Sequence, residues 1–108
     1  MFNEDGSIYN GEFHNNYPEG KGVLYYGKDF KGDIYSGEFL WGWKSGYGKY
    51  IWNIQKYGEI IEYEGQWCND AWHGIGKETR SDGAVWYGKW ENGNYKCKMS
   101  EKDWLCIK

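Results

Sequence analysis

The chain has 108 residues, which is the length of one domain, and 17 of them are glycine. Glycine at this density opposes helices at about 1 kcal/mol per residue, while an aromatic content of 21% is far above that of disordered chains. The formal net charge is −3, and acidic and basic residues are mixed along the chain, which excludes the basic face of a nucleic-acid binder. The composition predicts a small all-β protein without a nucleic-acid partner.

Four similar segments follow one another along the chain. Each reads aromatic-x-Gly-polar-aromatic, and their central glycines are Gly11, Gly37, Gly65 and Gly88. The flanking aromatic residues are Tyr9, Phe13, Tyr35, Phe39, Tyr63, Trp67, Trp86 and Trp90. Nine residues after each of the first three central glycines a Gly-x-Gly motif begins, formed by Gly20 and Gly22, Gly46 and Gly48, and Gly74 and Gly76. Self-similarity at this spacing is typical of a repeat protein.

Each repeat can be folded as a β-hairpin. The residue pairs 15–16, 41–42, 69–70 and 92–93 contain types that tolerate a left-handed backbone, which predicts two-residue turns there. In the first repeat this turn places Gly11 opposite Gly20 and Tyr9 opposite Gly22. The aromatic side chains and the motif glycines then share one face of the sheet, and a ring can lie over a glycine of the neighbouring strand.

This pattern resembles the MORN repeat (membrane occupation and recognition nexus), whose units run Tyr-x-Gly-x-Trp/Phe and close with Gly-x-Gly. The resemblance covers about residues 6–99. It implies stacked antiparallel hairpins that form an elongated, twisted sheet with a groove. It also implies non-catalytic roles: scaffolding, binding of partner proteins and, in some members, contact with phospholipids. We expect a repeat domain over residues 1–99, with units at 6–31, 32–58, 59–82 and 83–99. The second and third intervals carry insertions around 26–31 and 54–62.

The fourth unit departs from the pattern. Cys97 and Met99 stand where the Gly-x-Gly motif is expected, so Trp86 is predicted to face Met99 instead of a glycine. Terminal units of repeat arrays are usually atypical because they cap the stack. We therefore interpret the fourth unit as a cap.

Residues 100–108 break the repeat and are predicted to extend this cap. Ser100 followed by Asp103 is a capping-box pattern, which favours a short helix; a fifth partial strand is the alternative. Trp104, with Leu105 and Ile107, is expected to cover the end of the aromatic face.

The sequence offers little for catalysis or metal binding. Cys68, His73 and Cys97 could sketch a zinc site, but no Cys-x-x-Cys motif or pair of histidines accompanies them in the sequence. The Gly-x-Gly motif at 20–22 lacks the Walker spacing of a phosphate loop. The sequence has two histidines that could act as a base, His14 and His73, and both lie at predicted turns. We expect no enzymatic activity, no metal, no cofactor and no small-molecule substrate.

Location is predicted from the cysteines and the termini. Three cysteines without a disulfide spacing favour a reducing compartment, and the first residues do not resemble a signal peptide. We expect a cytoplasmic protein. The family resemblance implies association with the cytoskeleton, a cilium or a membrane surface.

The preferred interpretation is a scaffold or adaptor that binds a partner protein through the aromatic groove of its sheet. The motif rings are expected to form the core, because the chain has few aliphatic residues. Aromatic residues outside the motif are then the candidate partner surface: Tyr25, Trp41, Trp43, Tyr47, Trp52, Trp72 and Trp104.

Two alternatives remain open at this stage. The first is a phospholipid-binding module at a membrane surface; the net charge of −3 and the absence of a lysine and arginine cluster argue against more than weak phospholipid contact. The second, ranked below it, is an aromatic cage for a small ligand such as choline or a sugar.

Overall fold

The protein forms one open antiparallel sheet. The computed structural model describes residues 6–27, 31–53 and 59–107, and in them eight strands pair in sequence order, followed by one short helix. The strands are β1 Ile8–His14, β2 Tyr17–Tyr25, β3 Ile34–Leu40, β4 Trp43–Ile51, β5 Ile60–Cys68, β6 Ala71–Arg80, β7 Val85–Glu91 and β8 Asn94–Met99, and the helix is α1 Glu101–Ile107. The predicted all-β class is confirmed. Much of both predicted insertions, at 28–30 and 54–58, lies outside the described residues.

All four predicted turns are present as two-residue hairpin turns. Both turn residues have positive φ, for example 49° at Asn69 and 69° at Asp70. This geometry matches the right-handed twist of the flanking strands. In the second hairpin the first turn position holds Trp41 at φ 54°, where a bulky side chain is strained. Its neighbour Gly42 donates a backbone hydrogen bond of 2.9 Å to the carbonyl of Pro18, so the second turn is bonded to the start of β2 in the preceding hairpin.

The predicted register holds only beside each turn. In the first hairpin Phe13 pairs with Pro18, as predicted, but Gly11 pairs with Gly22 instead of Gly20. The prediction is therefore wrong by two residues beyond this point. The cause is a bulge, in which Gly20 takes a left-handed backbone with φ 87°. The second and third hairpins shift in the same way.

The shift aligns glycines into a row that runs across seven strands. Each member pairs with the next through the sheet, in the order Gly11, Gly22, Gly37, Gly48, Gly65, Gly76 and Gly88. Tyr9 lies opposite Leu24 instead of Gly22, yet its ring still covers Gly22: a Cβ there would lie 2.6 Å from Tyr9 Cε1. The predicted packing of a ring over a glycine is thus confirmed, by a diagonal contact.

The side of the sheet that carries these rings, here called the ring face, forms the core. Its buried members are Tyr9, Tyr35, Phe39, Tyr50, Tyr63, Trp67 and Trp90. The first aromatic of each of the first three repeats is a tyrosine whose hydroxyl donates to the backbone carbonyl three residues later. Tyr35, for example, donates to Glu38 over 2.9 Å. The bond fixes the ring flat over the glycine row.

The polar residue of the motif closes the bulge from the opposite side, here called the reverse face. Glu12 Oε1 accepts a hydrogen bond of 2.8 Å from the backbone N–H of Lys21. Glu38 does the same for Tyr47 over 2.7 Å, and Gln66 does so for the third hairpin over 2.7 Å. Sequence analysis missed this function, because the alternation of strand side chains assigns these positions simply to solvent.

We expect Glu38→Ala to lower the free energy of unfolding by about 1 kcal/mol, because the N–H of Tyr47 loses its acceptor. Glu38→Gln should change stability little, since Gln66 performs the same function in the third hairpin. Urea denaturation of the two variants checks this. Equal losses for Ala and Gln would show that the charge, and not the acceptor, stabilises the bulge.

The fourth hairpin pairs differently from the prediction. An extra residue in β8 shifts the register by one between Lys89 and Trp90. Met99 therefore pairs with Tyr87, and Trp86 does not face it. On the other side of β7, Trp86 pairs with Glu78 of β6, and its side chain is 47% exposed.

The C-terminal helix forms as predicted but lies on the other side of the sheet. Ser100 Oγ accepts a bond of 3.1 Å from the backbone N–H of Asp103, which is the expected cap. Trp104 is 3% exposed and packs against Tyr47 and Tyr87, with ring centroids 6.4 Å and 6.2 Å away. Both tyrosines lie on the reverse face, so the expectation that Trp104 covers the end of the aromatic face is wrong. The side chains of residues 105–107 lie outside the described part.

Candidate functional site

A second layer of side chains lies over the buried rings of the ring face. It contains the partly buried residues Leu24, Tyr26, Trp52 and Trp72. Trp72 stacks on Tyr63 with centroids 4.2 Å apart and planes 8° apart. Trp52 lies 4.5 Å from Tyr50 and 5.8 Å from Trp72. These rings form a partly accessible aromatic surface on a firmly packed base.

Beneath this layer the rings make a continuous chain of edge-to-face contacts. The centroid distances are 4.8 Å for Phe13–Tyr9, 5.1 Å for Tyr9–Phe39, 5.0 Å for Phe39–Tyr35, 5.3 Å for Tyr35–Trp67, 5.2 Å for Trp67–Tyr63, 5.4 Å for Tyr63–Trp90 and 5.5 Å for Trp90–Tyr95. The rings at the two ends of this series of contacts are Phe13 on β1 and Tyr95 on β8, and both are exposed. The ring face therefore presents apolar surface at both of its edges.

A lysine is held among the rings in the middle of this face. The ammonium nitrogen of Lys44 is 5.5–5.8 Å from four ring centroids, those of Tyr26, Tyr35, Tyr50 and Trp67. It also donates to the Tyr26 hydroxyl over 3.1 Å and pairs with Asp70 at 3.4 Å. Only 13% of the side chain is exposed. The rings of this sheet can thus accommodate an ammonium group by cation–π attraction.

Burial changes the acid–base behaviour of three core tyrosines. It raises the pKa of Tyr35 and of Tyr63 well above the ordinary value. Burial also raises the pKa of Tyr50, and so does the hydrogen bond of 2.7 Å that its hydroxyl donates to buried Asp33. All three hydroxyls stay protonated in the fold at pH values where free tyrosine ionises.

We therefore expect the protein to lose stability as the pH rises above about 10, the ordinary tyrosine pKa. The unfolded chain releases these protons first, so its free energy falls relative to the fold. Ultraviolet absorbance of ionised tyrosine should rise for these three residues together with loss of the β-sheet circular dichroism. Reversible ionisation of all tyrosines with the sheet signal intact would contradict this.

A pocket opens at the C-terminal end of the ring face. It is lined by Glu78, Arg80, Trp86, Trp90 and Tyr95 and has a volume of about 210 Å³. The Glu78 carboxylate is buried; its Oε2 atom accepts a hydrogen bond of 3.0 Å from Arg80 Nε and forms an ion pair with Arg80 Nη2 at 2.8 Å. The remaining walls are aromatic. Sequence analysis missed this pocket because it depends on the one-residue shift in β8.

The seven candidate partner residues do not come together on one surface. Trp52 and Trp72 lie in the second layer of the ring face. Tyr25, Trp43 and Tyr47 are on the reverse face, and Trp41 is in a turn. Trp104 is buried by its own chain. Four further rings are exposed among the described residues. Tyr17 and Tyr95 were not singled out by sequence analysis, whereas Phe13 and Trp86 were expected in the core, and for these two motif rings that expectation is wrong.

Two further observations concern other kinds of site. Among the residues that the structure describes, no three or more His, Cys, Asp or Glu side chains are grouped to hold a metal ion; Cys68 and Cys97 are free thiols on the surface. Within the same ranges, no helix has the length and hydropathy needed to cross a bilayer.

A single-layer sheet of stacked, nearly identical hairpins defines a β-repeat protein. The family model described as MORN repeat matches residues 9–29, 35–55 and 63–85, which together are more than half of the chain. The chain therefore belongs to the MORN repeat family, as its sequence pattern predicted. A search of curated proteins found no match.

Proposed function

We propose that this chain is a non-enzymatic scaffold that binds a partner protein through its ring face. The observation that carries the proposal is the second layer, in which Trp52 and Trp72 lie partly exposed over buried rings. Tryptophans held rigidly in this way are typical centres of protein–protein interfaces, because little conformational entropy is lost when they are covered. Membership of the MORN family supports a scaffolding function in general terms.

The test compares two neighbouring residues on opposite faces. A partner is captured from the native cells, identified, purified and titrated against Trp52→Ser and Ile51→Ser. Trp52 belongs to the ring face, whereas Ile51 is exposed on the reverse face. We expect Trp52→Ser to weaken binding by about tenfold or more, and Ile51→Ser to have little effect. The opposite pattern would move the interface to the reverse face.

A phospholipid-binding module is the weaker candidate. The chain carries a net charge of −3, and Lys44 and Arg80 are already paired with Asp70 and Glu78. We expect weak or no co-sedimentation with anionic liposomes at low salt. Strong sedimentation that falls as salt is added would favour the lipid interpretation over the protein partner.

We further propose a cytoplasmic location within a cytoskeletal, ciliary or membrane-associated assembly, in keeping with the MORN family. Fluorescence microscopy of the tagged chain in its native cell, followed by detergent extraction, tests this. A cytoskeletal or ciliary scaffold stays with the insoluble fraction, and a membrane-associated one is released.

A further inference from the structure

The fourth hairpin leaves one motif ring without its usual partner. In the first three hairpins the first motif ring lies over a glycine of the next strand, whereas β8 offers no glycine. The ring of Tyr95 takes over this function, since a Cβ on Gly88 would lie 2.6 Å from Tyr95 Cε1. Trp86 is therefore released from the core and stands 47% exposed beside the C-terminal pocket.

The pocket that results is lined by three aromatic side chains and by the Glu78–Arg80 ion pair. Trp86, Trp90 and Tyr95 form the walls, and Trp90 and Tyr95 meet at 63° with centroids 5.5 Å apart. At about 210 Å³ the pocket is smaller than the roughly 300–1,000 Å³ of sites for drug-sized molecules. It suits a compact head group or the end of one side chain.

We infer that this pocket binds a quaternary ammonium group. Three aromatic side chains line one small volume, and aromatic rings attract a cation that has little water to lose. The charge of Glu78 is balanced by Arg80, whose Nε donates to Glu78 Oε2 and whose Nη2 forms an ion pair with the same atom. A primary ammonium brings three N–H donors that need acceptors, whereas a quaternary ammonium brings none. The inference does not depend on the proposed partner protein.

The middle of the same face gives an internal precedent. There Lys44 places its ammonium 5.5–5.8 Å from four ring centroids. Lys44 lies opposite Phe39, and Tyr95 lies opposite Trp90, so the two residues occupy equivalent positions beside their turns. At this position the second hairpin has Lys44, whose ammonium lies among the rings, whereas the fourth hairpin has Tyr95, whose ring lines the pocket.

The test is a titration with choline, followed through the indole N–H signals of Trp86 and Trp90 in an NMR spectrum. The neutral ligand control is 3,3-dimethylbutan-1-ol, which has the shape of choline without its charge. We expect saturable choline binding at least about tenfold tighter than that of the alcohol. Absence of saturable choline binding, or equal binding of the alcohol, would overturn the inference.

Matched variants locate the site. Trp86→Ala is expected to weaken choline binding about tenfold, while Trp43→Ala, which removes an equally exposed tryptophan from the reverse face, should leave it unchanged. Thermal melts confirm that both variants fold; if Trp86→Ala does not, Trp86→Leu replaces it. Normal choline binding by a folded Trp86 variant would overturn the assignment.

Three kinds of molecule can present a quaternary ammonium group to the pocket. A peptide with trimethyl-lysine, vesicles of phosphatidylcholine and free choline are titrated in parallel, with an unmethylated peptide and phosphatidylglycerol vesicles as controls. If binding requires the methyl groups on nitrogen, the probe that binds most tightly identifies the kind of molecule that the pocket recognises. Equal binding of the unmethylated peptide would contradict the preference for a quaternary ammonium.

Discussion

Gly37→Ala is expected to lower the free energy of unfolding by about 3 kcal/mol, the upper end of the usual cost of overpacking. Gly37 lies in the glycine row between Gly22 and Gly48. A Cβ at this position would lie 2.6 Å from the carbonyl oxygen of Tyr47 and closer still to the Cα of Gly48. Both are backbone atoms of the adjacent strand, so relief requires the strands to separate.

The control is the residue beside it. Ser36→Ala changes an exposed side chain on the reverse face of the same strand, and we expect its effect to stay within about 0.5 kcal/mol. Urea denaturation of both variants measures the difference. Similar midpoints would mean that the strands are spaced more loosely than the glycine row requires.

The turns and the choice of face could be predicted because they depend on local chemistry. Asn69 and Asp70 tolerate the left-handed backbone that a two-residue turn needs. Alternation of strand side chains then assigns Tyr63 and Trp67 to the same face. These inferences need no knowledge of the neighbouring repeats.

The register could not be obtained in the same way. Counting back from the turn assumes that each residue of one strand pairs with a single residue of the other. This fails at Gly20, which adopts φ 87° and opens a bulge. What stabilises the bulge is a side-chain contact, the bond from the N–H of Lys21 to Glu12. A contact of this kind has no signature in the hydrophobic pattern, although the Glu or Gln that follows each of the first three central glycines could have suggested it.

The exposure of the aromatic residues was predicted less well than the fold. Sequence analysis divided the aromatic residues into motif rings for the core and other rings for partners. In the structure Trp86 belongs to the motif yet is exposed, whereas Trp104 lies outside it and is buried. Exposure here is decided by the shifted β8 and by the face on which α1 packs, and both depend on tertiary contacts.

Trp104→Ala is expected to lower the free energy of unfolding by about 3 kcal/mol, as large-to-small changes at buried aromatic positions do. Trp104 is 3% exposed and is held between Tyr47 and Tyr87 of two different repeats. Its loss therefore removes a contact that ties the fourth hairpin to the second. For a domain whose total stability is about 5–15 kcal/mol, this is a large fraction.

The matched control is Lys102→Ala on the same helix, because Lys102 is exposed and alanine favours helix formation. Thermal melts and analytical ultracentrifugation compare the two variants with the wild type. We expect Trp104→Ala to melt several degrees earlier and to self-associate through the uncovered tyrosines, and Lys102→Ala to behave as the wild type does. If Trp104→Ala instead melts normally and stays monomeric, the helix does not cap the reverse face in solution. Trp104 would then be free to contact a partner, as the sequence first suggested.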